Sequence, residues 1–413
     1  MKMNAYIAGT GMTRFGKFLD RGLKSLAAEA IEAALADAGI ARNELQAAYC
    51  GTGAAGVMTG QVLIPGEVVL RGVGIGRIPV VNVENACATS STAFQQAAAM
   101  ISLGVYDVVL VVGFEKLYSE DKKRTFSVFH GAVDLEAIDQ VMANLARNAA
   151  ETGSKSDLEG AGSKRSLFMD VYAGMARTYM KRYGATQRHF AMVSAKNSFH
   201  GSLNPKAQYQ EELTVEQVLA APLIADPMTL PMCSPIGDGA AAVVLVSERK
   251  ARQMGLKNKV RIESSVLASG WDYTEPEGEQ VAEYASRQAY EEAGIGPQDV
   301  NVVELHDASA PAEVIYYELL GLAKKGEGVA LLESGATRLG GRVPVNPSGG
   351  LLRKGHPIGA SGCGQLVELA DQLRGRCGRR QVEGARVALA ENGGGFLGND
   401  VAAIVVSVLR IED

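Results

Sequence analysis

Cysteine, excess charge and long apolar runs are all scarce in this 413-residue chain, and each shortage excludes a class of protein. Its five cysteines are an odd number at scattered positions, which fits neither a disulfide framework nor a zinc site. A formal net charge of −5 leaves no basic surface of the kind that binds nucleic acid. The longest apolar runs, such as AAAVVLV at 240–246, are too short to cross a membrane. The N-terminus lacks the pattern of a secretory signal, so we expect a reduced, cytoplasmic protein.

Glycine, by contrast, is abundant. The chain contains 48 glycines, more than a tenth of its length, which indicates close backbone packing and many sharp turns. Strand-like runs such as DVVLVVGFE alternate with helix-like runs such as LKSLAAEAIEAALADAG throughout the sequence. This alternation predicts an α/β architecture.

An internal repeat suggests that the α/β unit is duplicated. The segment ALADAGI at 34–40 returns as AYEEAGI at 289–295, each after an amphipathic helix and before a polar turn and an apolar strand. A repeat this long indicates tandem units rather than a solenoid, although two common helix ends could also agree by chance. We expect an N-terminal half over 1–250 and a C-terminal half over 251–413.

The pattern of strands and helices weakens between about 115 and 235. A polar, Gly/Ser-rich stretch at 151–166 inside this region predicts surface loops. Long insertions of this kind often cover a binding site in α/β proteins. We therefore interpret the region as part of a long insertion that covers a binding site.

The segment GTGAAG at 51–56 has the spacing of a dinucleotide-binding motif and follows a strand. A true motif opens an uninterrupted helix whose N-terminus carries the pyrophosphate. Here Gly60 and Pro65 would break any helix within one or two turns. We interpret the segment as a turn rather than a nucleotide site.

Cys87 stands where an apolar run ends and a helix of small residues begins, in NACATSSTAF. A thiol in the first turn of a helix lies near unpaired N–H groups and the positive end of the helix dipole, which would lower its pKa. The small neighbours would let backbone donors approach an acyl group on the sulfur. Free cysteine is also a common small buried hydrophobe, so only a nearby base can decide between the two interpretations.

Two of the five histidines are candidates for that base. His356 lies in the glycine-rich loop NPSGGLLRKGHPIGASG, just before a helix. His306 ends the apolar strand of VVELHDAS, where functional residues gather in α/β proteins. Either histidine could instead only bond to a neighbouring loop. The other three are His189 and His200, which we expect to be solvent-exposed in charged helices, and His130, which stays unassigned.

These blocks resemble the thiolase superfamily, in the family's order and over nearly the whole chain. NACATSSTAF resembles the nucleophilic-cysteine block, CSPIGDGAAAVVLVSE (233–248) resembles the block that closes the N-terminal half, and the loop with His356 resembles the catalytic-histidine loop. The resemblance implies the thiolase fold, with two duplicated α/β/α/β/α halves and a loop domain inserted in the first. HDASAPAE (306–313) and the segment 179–209 resemble the sterol-carrier-protein or lipid-transfer branch.

The resemblance also implies a distribution of catalytic roles. Cys87 would attack the keto carbon of a 3-oxoacyl-CoA, and His356 would take its proton. His306 would help to polarise the thioester oxygen in a first oxyanion hole. A second hole would use the backbone N–H groups of Cys87 and of Gly393 or Gly394. Substrate contacts are expected from Met175, Ser348, Gly349 and Gly350.

The chain departs from the family at the second catalytic cysteine, which serves the substrate's α-carbon as acid and base. Many thiolases carry it just before the final glycine run, and this branch often carries it directly after HD. Here those places hold ENGGG and Ala308, and Cys233, Cys363 and Cys377 match neither. Glu391 or Asn392 could occupy the vacated place, and only Glu391 titrates usefully. Glu391 could instead cap a strand end in solvent, and His306 could act twice.

The implied function is an acyl-CoA C-acyltransferase that cleaves a 3-oxoacyl-CoA, with a bulky or aromatic acyl group, by CoA. It would need no bound cofactor and no metal. The alternatives are a retro-aldolase acting on a side-chain thioester, an acyltransferase to a non-CoA acceptor such as a phenolic ketone, and a carrier or scaffold without catalysis. Retention of Cys87 with the histidine loop argues against the aldolase and the scaffold.

The resemblance further implies a homodimer and a small zinc-ribbon/OB-fold subunit that helps to bind CoA. No nucleic-acid or membrane partner is expected. The chain itself shows only a weak basic site for CoA, which such a subunit would explain. Its candidate residues, each of which could equally be a solvated charge, are Lys164, Arg165, Lys181 and Arg182.

Overall fold

The computed structural model describes residues 3–156, 158–273 and 278–412. Its strands are β1 (Ala5–Met12), β2 (Ala47–Gly51), β3 (Val80–Val83), β4 (Val108–Glu115), β5 (Leu223–Ala225), β6 (Met228–Thr229), β7 (Gly239–Ser247), β8 (Lys259–Ser269), β9 (Val302–Glu304), β10 (Val387–Leu397) and β11 (Asp400–Glu412). Its α-helices are α1 (Leu23–Ala38), α2 (Ala55–Thr59), α3 (Pro65–Gly72), α4 (Thr89–Ser102), α5 (Lys122–Val128), α6 (Ile138–Thr152), α7 (Leu167–Tyr183), α8 (Gln187–Ser202), α9 (Val215–Ala220), α10 (Glu248–Gln253), α11 (Val281–Ala293), α12 (Ala310–Leu319), α13 (Gly328–Glu333), α14 (Gly350–Lys354) and α15 (Ile358–Leu373).

One large mixed sheet runs through the chain in the order β3-β2-β4-β7-β1-β8-β11-β10-β9. Strand β2 lies parallel to β3 and β4, and β4, β7 and β1 follow as antiparallel neighbours. Beyond the junction of β1 with β8, strand β9 lies parallel to β10, with a bridge from Val303 to Val345, and β10, β11 and β8 are antiparallel. The same strand order thus occurs twice, which confirms the predicted duplicated α/β architecture.

Helices α4 and α15 pack against each other and against the same face of the sheet. Their small residues make this approach possible, because a Cβ on Gly362 would lie only 2.8 Å from the backbone N of Ser91. On the opposite face α1 packs on β1 and β7. The close backbone approach predicted from the small residues after Cys87 is therefore confirmed.

The inserted loop domain occupies the chain between β4 and β7. Its long helices α7 and α8 pack on α12 and α14 through an apolar cluster that includes Tyr179, Phe190 and Tyr317. Helix α6 packs on α7 and has no fully buried residue. Because it contacts elements of both halves of the chain, the loop domain is placed to cover a site between them.

The turn formed by GTGAAG does not open a long helix. Helix α2 ends at Thr59, and Gly60 follows in the left-handed region with φ of 80°. The donors that a phosphate would use are taken by Glu115, whose carboxylate accepts from the Thr52 hydroxyl at 2.8 Å and from the N–H of Gly53 at 2.9 Å. The interruption of the helix is confirmed, and a buried side chain fills the anion position.

His200 is buried, so the expectation that it is solvent-exposed was wrong. Its Nδ1 donates to the carbonyl of Asn346 at 3.0 Å, and its Nε2 accepts from the N–H of Leu339 at 3.0 Å. Burial holds its pKa well below the usual value, so the ring is neutral. Its charged neighbour Lys196, one turn earlier on α8, is buried as well and pairs with Glu313 at 2.8 Å, so a charged sequence did not mean an exposed helix face here.

No helix of the described residues is both long and apolar enough to cross a lipid bilayer.

Candidate active site

Cys87 lies in a short 3₁₀ turn, Ala86–Ala88, between the end of β3 and the start of α4. Ala86 has a positive φ of 48°, an uncommon conformation for a residue with a side chain. The Thr89 hydroxyl stabilises this turn by donating to the carbonyl of Ala86 at 2.6 Å and accepting from the N–H of Asn85 at 2.9 Å. The turn presents the thiol to a cavity at the mouth of α4, where it is partly exposed.

His356 lies beside this thiol, with 3.2 Å between its Nε2 and the Cys87 Sγ. On the other side of the ring, Nδ1 lies 2.7 Å from the Ser361 hydroxyl, which itself donates to the carbonyl of Pro357 at 3.0 Å. Because that hydroxyl has a single hydrogen, it must accept from Nδ1–H. The lone pair of Nε2 therefore faces the thiol, as a general base requires.

The thiol is not ionised in the resting site, contrary to the expectation from its place at a helix start. Burial raises the pKa of Cys87 to about 12, and the carboxylates of Glu115 and Glu84 add to this effect. Burial also holds the pKa of His356 well below its usual value, and the neighbouring His306 lowers it further. Desolvation therefore outweighs the helix dipole, and the pair rests as neutral thiol and neutral imidazole.

His306 completes this cluster from the loop after β9. Its ring centroid lies 5.2 Å from that of His356, and one ligand atom from each of Cys87, His306 and His356 lies within 4.8 Å of the others. Burial lowers the pKa of His306 to about 4, so the ring is neutral. Its Nε2 is buried and has no hydrogen-bond partner among the described residues. The hydrogen-bonding capacity of this atom is therefore not used by any described group.

The adjacent Asp307 anchors the segment that carries His306. Its carboxylate accepts from the N–H of Leu351 at 2.7 Å and from the Asn197 side-chain amide at 2.8 Å. These bonds join β9, the loop domain and α14. The position of His306 therefore depends on three parts of the fold.

Glu391, on β10, is fully buried, so a solvent-exposed cap at a strand end is excluded for it. Its Oε2 accepts from the backbone N–H of His306 at 2.9 Å, and its Oε1 has no partner among the described side chains and backbone. Burial raises the pKa of Glu391 to about 8, although the N–H groups of His306 and Gly393 act in the opposite direction. The carboxyl group therefore holds a proton at neutral pH, next to the histidines.

Asn392 points away from this cluster, because successive side chains alternate across a strand. Its Oδ1 accepts from the Ser91 hydroxyl at 2.6 Å, which places the amide between β10 and α4. Of the two residues considered for the vacated cysteine position, only Glu391 lies beside His306. Asn392 instead helps to hold the helix that begins after the nucleophile.

The glycines of β10 lie against the nucleophile's backbone. A Cβ on Gly394 would lie 3.0 Å from the Cys87 N, so this approach requires glycine. Strand β10 pairs with β9 only as far as Ala390, which leaves the edge at Gly393 and Gly394 without a parallel neighbour. The backbone of the glycine run therefore lies close to the backbone N of Cys87.

The four residues expected to contact substrate lie away from the catalytic cavity. Met175 lines a separate cavity of about 830 Å³, because it lies on the other face of α7. Ser348 is buried, and its hydroxyl donates to Glu304 at 2.7 Å. Gly349 and Gly350 are buried at positive φ, where a Cβ would meet Gly201 and Asp307 respectively. Ser348, Gly349 and Gly350 therefore pack beneath the loop that carries His356.

The catalytic cavity measures about 1010 Å³ and reaches Cys87, His356 and Ala308. The loop domain supplies aromatic and aliphatic walls, namely Tyr118, Phe126, Phe129, Phe168, Met169 and Tyr172. Exposed lysines also border the cavity, namely Lys17, Lys122 and Lys164. Three exposed glutamates line the same cavity, namely Glu84, Glu120 and Glu211. The cavity is thus apolar inside and carries charges of both signs at its rim.

Of the four basic residues considered for CoA, only Lys164 lines this cavity without a tight internal partner. Arg165 also lines it but is paired with Asp170 at 2.7 Å. Lys181 donates to the carbonyl of Glu151, outside the cavity lining. Arg182 borders the separate cavity on the far side of α7.

Sequence reasoning missed Tyr172 and Tyr316. Tyr172 lines the cavity, and its pKa is raised by burial and then by the charges of Cys87 and Glu391. The Tyr316 hydroxyl would lie 3.4 Å from a Cβ on Gly393, and burial raises its pKa as well. Both phenols therefore keep their protons. Each tyrosine lies in a helix, in a sequence pattern typical of core residues, so nothing in the sequence indicated that it lies near the catalytic cluster.

Comparison with known families agrees with this geometry. The family model described as "Thiolase, N-terminal domain" matches residues 5–249, and the one described as "Thiolase C-terminal domain-like" matches residues 272–407. The chain belongs to the thiolase family. The suspected membership is thereby confirmed across most of the sequence.

Relatives place this thiolase family member in the sterol-carrier-protein branch. It is 37% identical over 403 residues to the benzoylsuccinyl-CoA thiolase subunit BbsB of Thauera aromatica, covering 96% of each chain. It is 36% identical over 398 residues to human sterol carrier protein 2, covering 94% of this chain and 69% of that protein. Among solved structures, an Ltp2-ChsH2(DUF35) aldolase matches with a TM-score of 0.78, 26% identity and coverage of 99% of this chain and 98% of that one.

Proposed function

We propose that this thiolase family member is an acyl-CoA C-acyltransferase that cleaves a 3-oxoacyl-CoA by CoA through an acyl-Cys87 intermediate. The contact of 3.2 Å between the Cys87 Sγ and the unprotonated Nε2 of His356 carries this proposal. A nucleophile and a base at this separation can form and release a thioester. The matching relatives named as a thiolase subunit and an acetyl-CoA acetyltransferase support the same reaction class.

In the first half-reaction the Cys87 proton passes to His356 Nε2 as the sulfur attacks the keto carbon. The bond between the α-carbon and that carbon then breaks, and its electron pair moves into the thioester enolate. The neutral His306 donates to the enolate oxygen, and the protonated Glu391 gives its proton to the α-carbon. The products are acyl-Cys87 and a shortened acyl-CoA.

In the second half-reaction the CoA thiol attacks the acyl group on Cys87. The Glu391 carboxylate takes the CoA proton, and the protonated His356 returns its proton to the departing Cys87 sulfur. Negative charge on the acyl oxygen is stabilised by the N–H groups of Cys87 and of Gly393 or Gly394. Each catalytic group then regains its starting protonation state.

A bulky or aromatic acyl group suits the catalytic cavity. The cavity of about 1010 Å³ is lined by Phe129, Phe168 and Tyr172, which offer apolar area and ring contacts. The relative from Thauera aromatica is named for benzoylsuccinyl-CoA, an aromatic substrate. Lys17, Lys122 and Lys164 at the rim would attract the phosphates of CoA.

Two partners belong to this proposal. A second copy of the chain would pair with the free edge of β3, beside which Val62, Leu63 and Ile64 are exposed. A small zinc-ribbon/OB-fold subunit would assist with CoA. The relatives' names support it, since one is called a subunit and another structure is named as an Ltp2-ChsH2 pair.

A retro-aldolase remains the second candidate function, because Glu391 replaces the expected thiol and the Ltp2-ChsH2 structure is named an aldolase. In that reaction the unprotonated Nε2 of His356 would accept the proton of a β-hydroxyl group, the protonated Glu391 would give its proton to the α-carbon, and Cys87 would form no covalent bond. The two functions therefore differ in one measurable species, the acyl-enzyme.

The deciding experiment is intact-protein mass spectrometry after incubation with short, long-chain and aromatic acyl-CoAs. The variants are Cys87→Ala and the matched Cys233→Ala, since Cys233 lines the same cavity but its thiol is directed to the carbonyl of Thr229. We expect an acyl adduct that Cys87→Ala loses and Cys233→Ala keeps. Absence of an adduct with every donor, with any co-purifying small subunit present, would favour the aldolase.

A further inference from the structure

The catalytic cluster has the composition and spacing of an open metal site. One ligand atom from each of Cys87, His306 and His356 lies within 4.8 Å of the others, and the Cys87 Sγ lies 3.2 Å from the His356 Nε2. Ligand atoms of a tetrahedral zinc ion lie roughly 3.3 to 3.5 Å apart, from bonds of about 2.3 Å to sulfur and about 2.0 Å to nitrogen. The 4.8 Å limit of the cluster exceeds this range, so the ion would draw the three groups closer together.

The two imidazoles are already prepared as ligands. The bond from Nδ1–H of His356 to Ser361 turns the Nε2 lone pair toward the thiol. In metal sites a neighbouring acceptor orients a ligating histidine in the same way. The Nε2 of His306 is buried and has no partner among the described residues, and one nitrogen of this ring lies at the cluster. Ligation by Nε2 of His306 requires the tautomer with the proton on Nδ1, whereas donation from Nε2 to a substrate oxygen requires the other tautomer.

We propose that Cys87, His306 and His356 form an inhibitory Zn²⁺ site in the resting enzyme. The ion displaces the thiol proton, which leaves to water, and forms one Zn–S and two Zn–N bonds. Its fourth position holds a water molecule from the cavity. Metal binding and acyl transfer exclude each other, because both use the Cys87 sulfur.

No other group of three histidine, cysteine or carboxylate side chains in the described ranges brings its ligand atoms this close. The remaining cysteines are buried elsewhere, and Cys233 directs its thiol to the carbonyl of Thr229 at 3.6 Å. A single bound ion per chain is therefore expected. The predicted loss of activity rests on the proposed function, whereas the predicted binding of the metal ion does not.

The test is a titration of the metal-free full chain with Co²⁺, followed by displacement with Zn²⁺. We expect one Co²⁺ per chain, with a thiolate-to-cobalt absorption band and the strong visible bands of four-coordinate cobalt. Cys87→Ala removes the thiolate band, and His306→Asn weakens binding at least tenfold. Ser361→Ala weakens it by about 10- to 100-fold, as expected for an outer-shell partner. The matched Cys233→Ala keeps the wild-type affinity.

A second measurement needs no variant. Bound Zn²⁺ should protect Cys87 from a small methanethiosulfonate reagent, read as the mass of the Cys87 peptide, and a chelator should restore the reaction. Co²⁺ spectra without a thiolate band, or equal affinity in Cys87→Ala and the unaltered chain, would overturn the site. Metal binding without an acyl adduct would overturn the proposed acyltransferase function and support the metal site. An acyl adduct without metal binding would support the acyltransferase function and overturn the metal site.

Discussion

At the scale of single residues, the proton on Glu391 is the feature with the widest consequences. Its carboxyl group is buried, with one oxygen bonded to the backbone of His306 and the other without a partner among the described residues. A pKa of about 8 keeps the group protonated where a thiolase must protonate an α-carbon. Desolvation can thus give a glutamate the acid–base range that the family usually obtains from a thiol.

Glu391→Gln should therefore lower kcat for cleavage of the 3-oxoacyl-CoA by about 10²- to 10⁴-fold, the usual contribution of a general acid. In the unaltered enzyme, kcat should fall as pH rises through about 8, because the proton to be donated is lost. In the variant this decrease of kcat on the alkaline limb of the pH profile should disappear. Steady-state kinetics over pH 6 to 10 check the prediction, with Glu291→Gln on α11 as the control, since the Glu291 side chain is 59% exposed. An unchanged alkaline limb in Glu391→Gln would assign the proton to another group.

The same group should make the protein less stable as pH rises. The folded pKa of Glu391 lies above its ordinary value, so its contribution to stability is complete below about pH 4.5 and is lost as pH rises through about 8. At pH 7 this loss amounts to about 3 kcal/mol, at about 1.4 kcal/mol for each pH unit. Glu391→Gln should raise the melting temperature, and the gain should widen from pH 5 to pH 8. A gain that is the same at both pH values would contradict the raised pKa.

At the scale of elements, Glu115 joins the turn after β2 to the start of α15. Besides Thr52 and Gly53, its carboxylate accepts from the N–H of Ala54 at 3.0 Å and from that of Gly359 at 2.8 Å. These bonds connect the two halves of the chain. The helix that follows His356 is therefore held in place by a residue at the end of β4.

Glu115→Ala should destabilise the protein strongly, because it leaves four buried donors without an acceptor. At about 1 to 3 kcal/mol for each unsatisfied group, and with partial relaxation, we expect a loss of about 3 to 6 kcal/mol. Glu115→Gln keeps one acceptor oxygen and should lose less. Urea unfolding monitored by circular dichroism measures the difference. A loss below about 1 kcal/mol in the alanine variant would show that water replaces the carboxylate.

At the scale of the whole molecule, the sheet ends in an exposed edge. Strand β3 pairs only with β2, and Val81 on it is 41% exposed. Natural proteins rarely leave an apolar edge strand open to solvent. Together with the exposed residues 62–64, this edge fits a two-fold contact with a second copy of the chain.

In the proposed dimer Val81→Lys places a charge in the contact, so this variant should be monomeric. Val105→Lys is the matched control, since Val105 is 51% exposed at a turn away from β3. Light scattering coupled to size-exclusion chromatography gives the mass of each variant. A monomeric unaltered protein, or a Val81→Lys variant that stays dimeric, would remove β3 from the interface.

The sequence predicted local features well where one segment carries the signal. It placed Cys87 at the start of a helix, indicated the broken helix after Gly60 and identified the repeated α/β unit. It misplaced features that depend on which way a side chain points. Met175 lies on the far face of α7, Ser348 bonds to a buried carboxylate and His200 is enclosed. The domain boundary near residue 250 stays a prediction.

The amino-acid sequence by itself determined the family, the duplicated fold and the residue types available for catalysis, because these follow from motifs and periodicity. Only the tertiary structure decided how they combine. Cys87 and His356 are 269 residues apart in sequence and meet because α4 and α15 pack together. Burial then raised the pKa of Cys87 and that of Glu391. Desolvation depends on every neighbour in space, so no stretch of sequence can specify it alone.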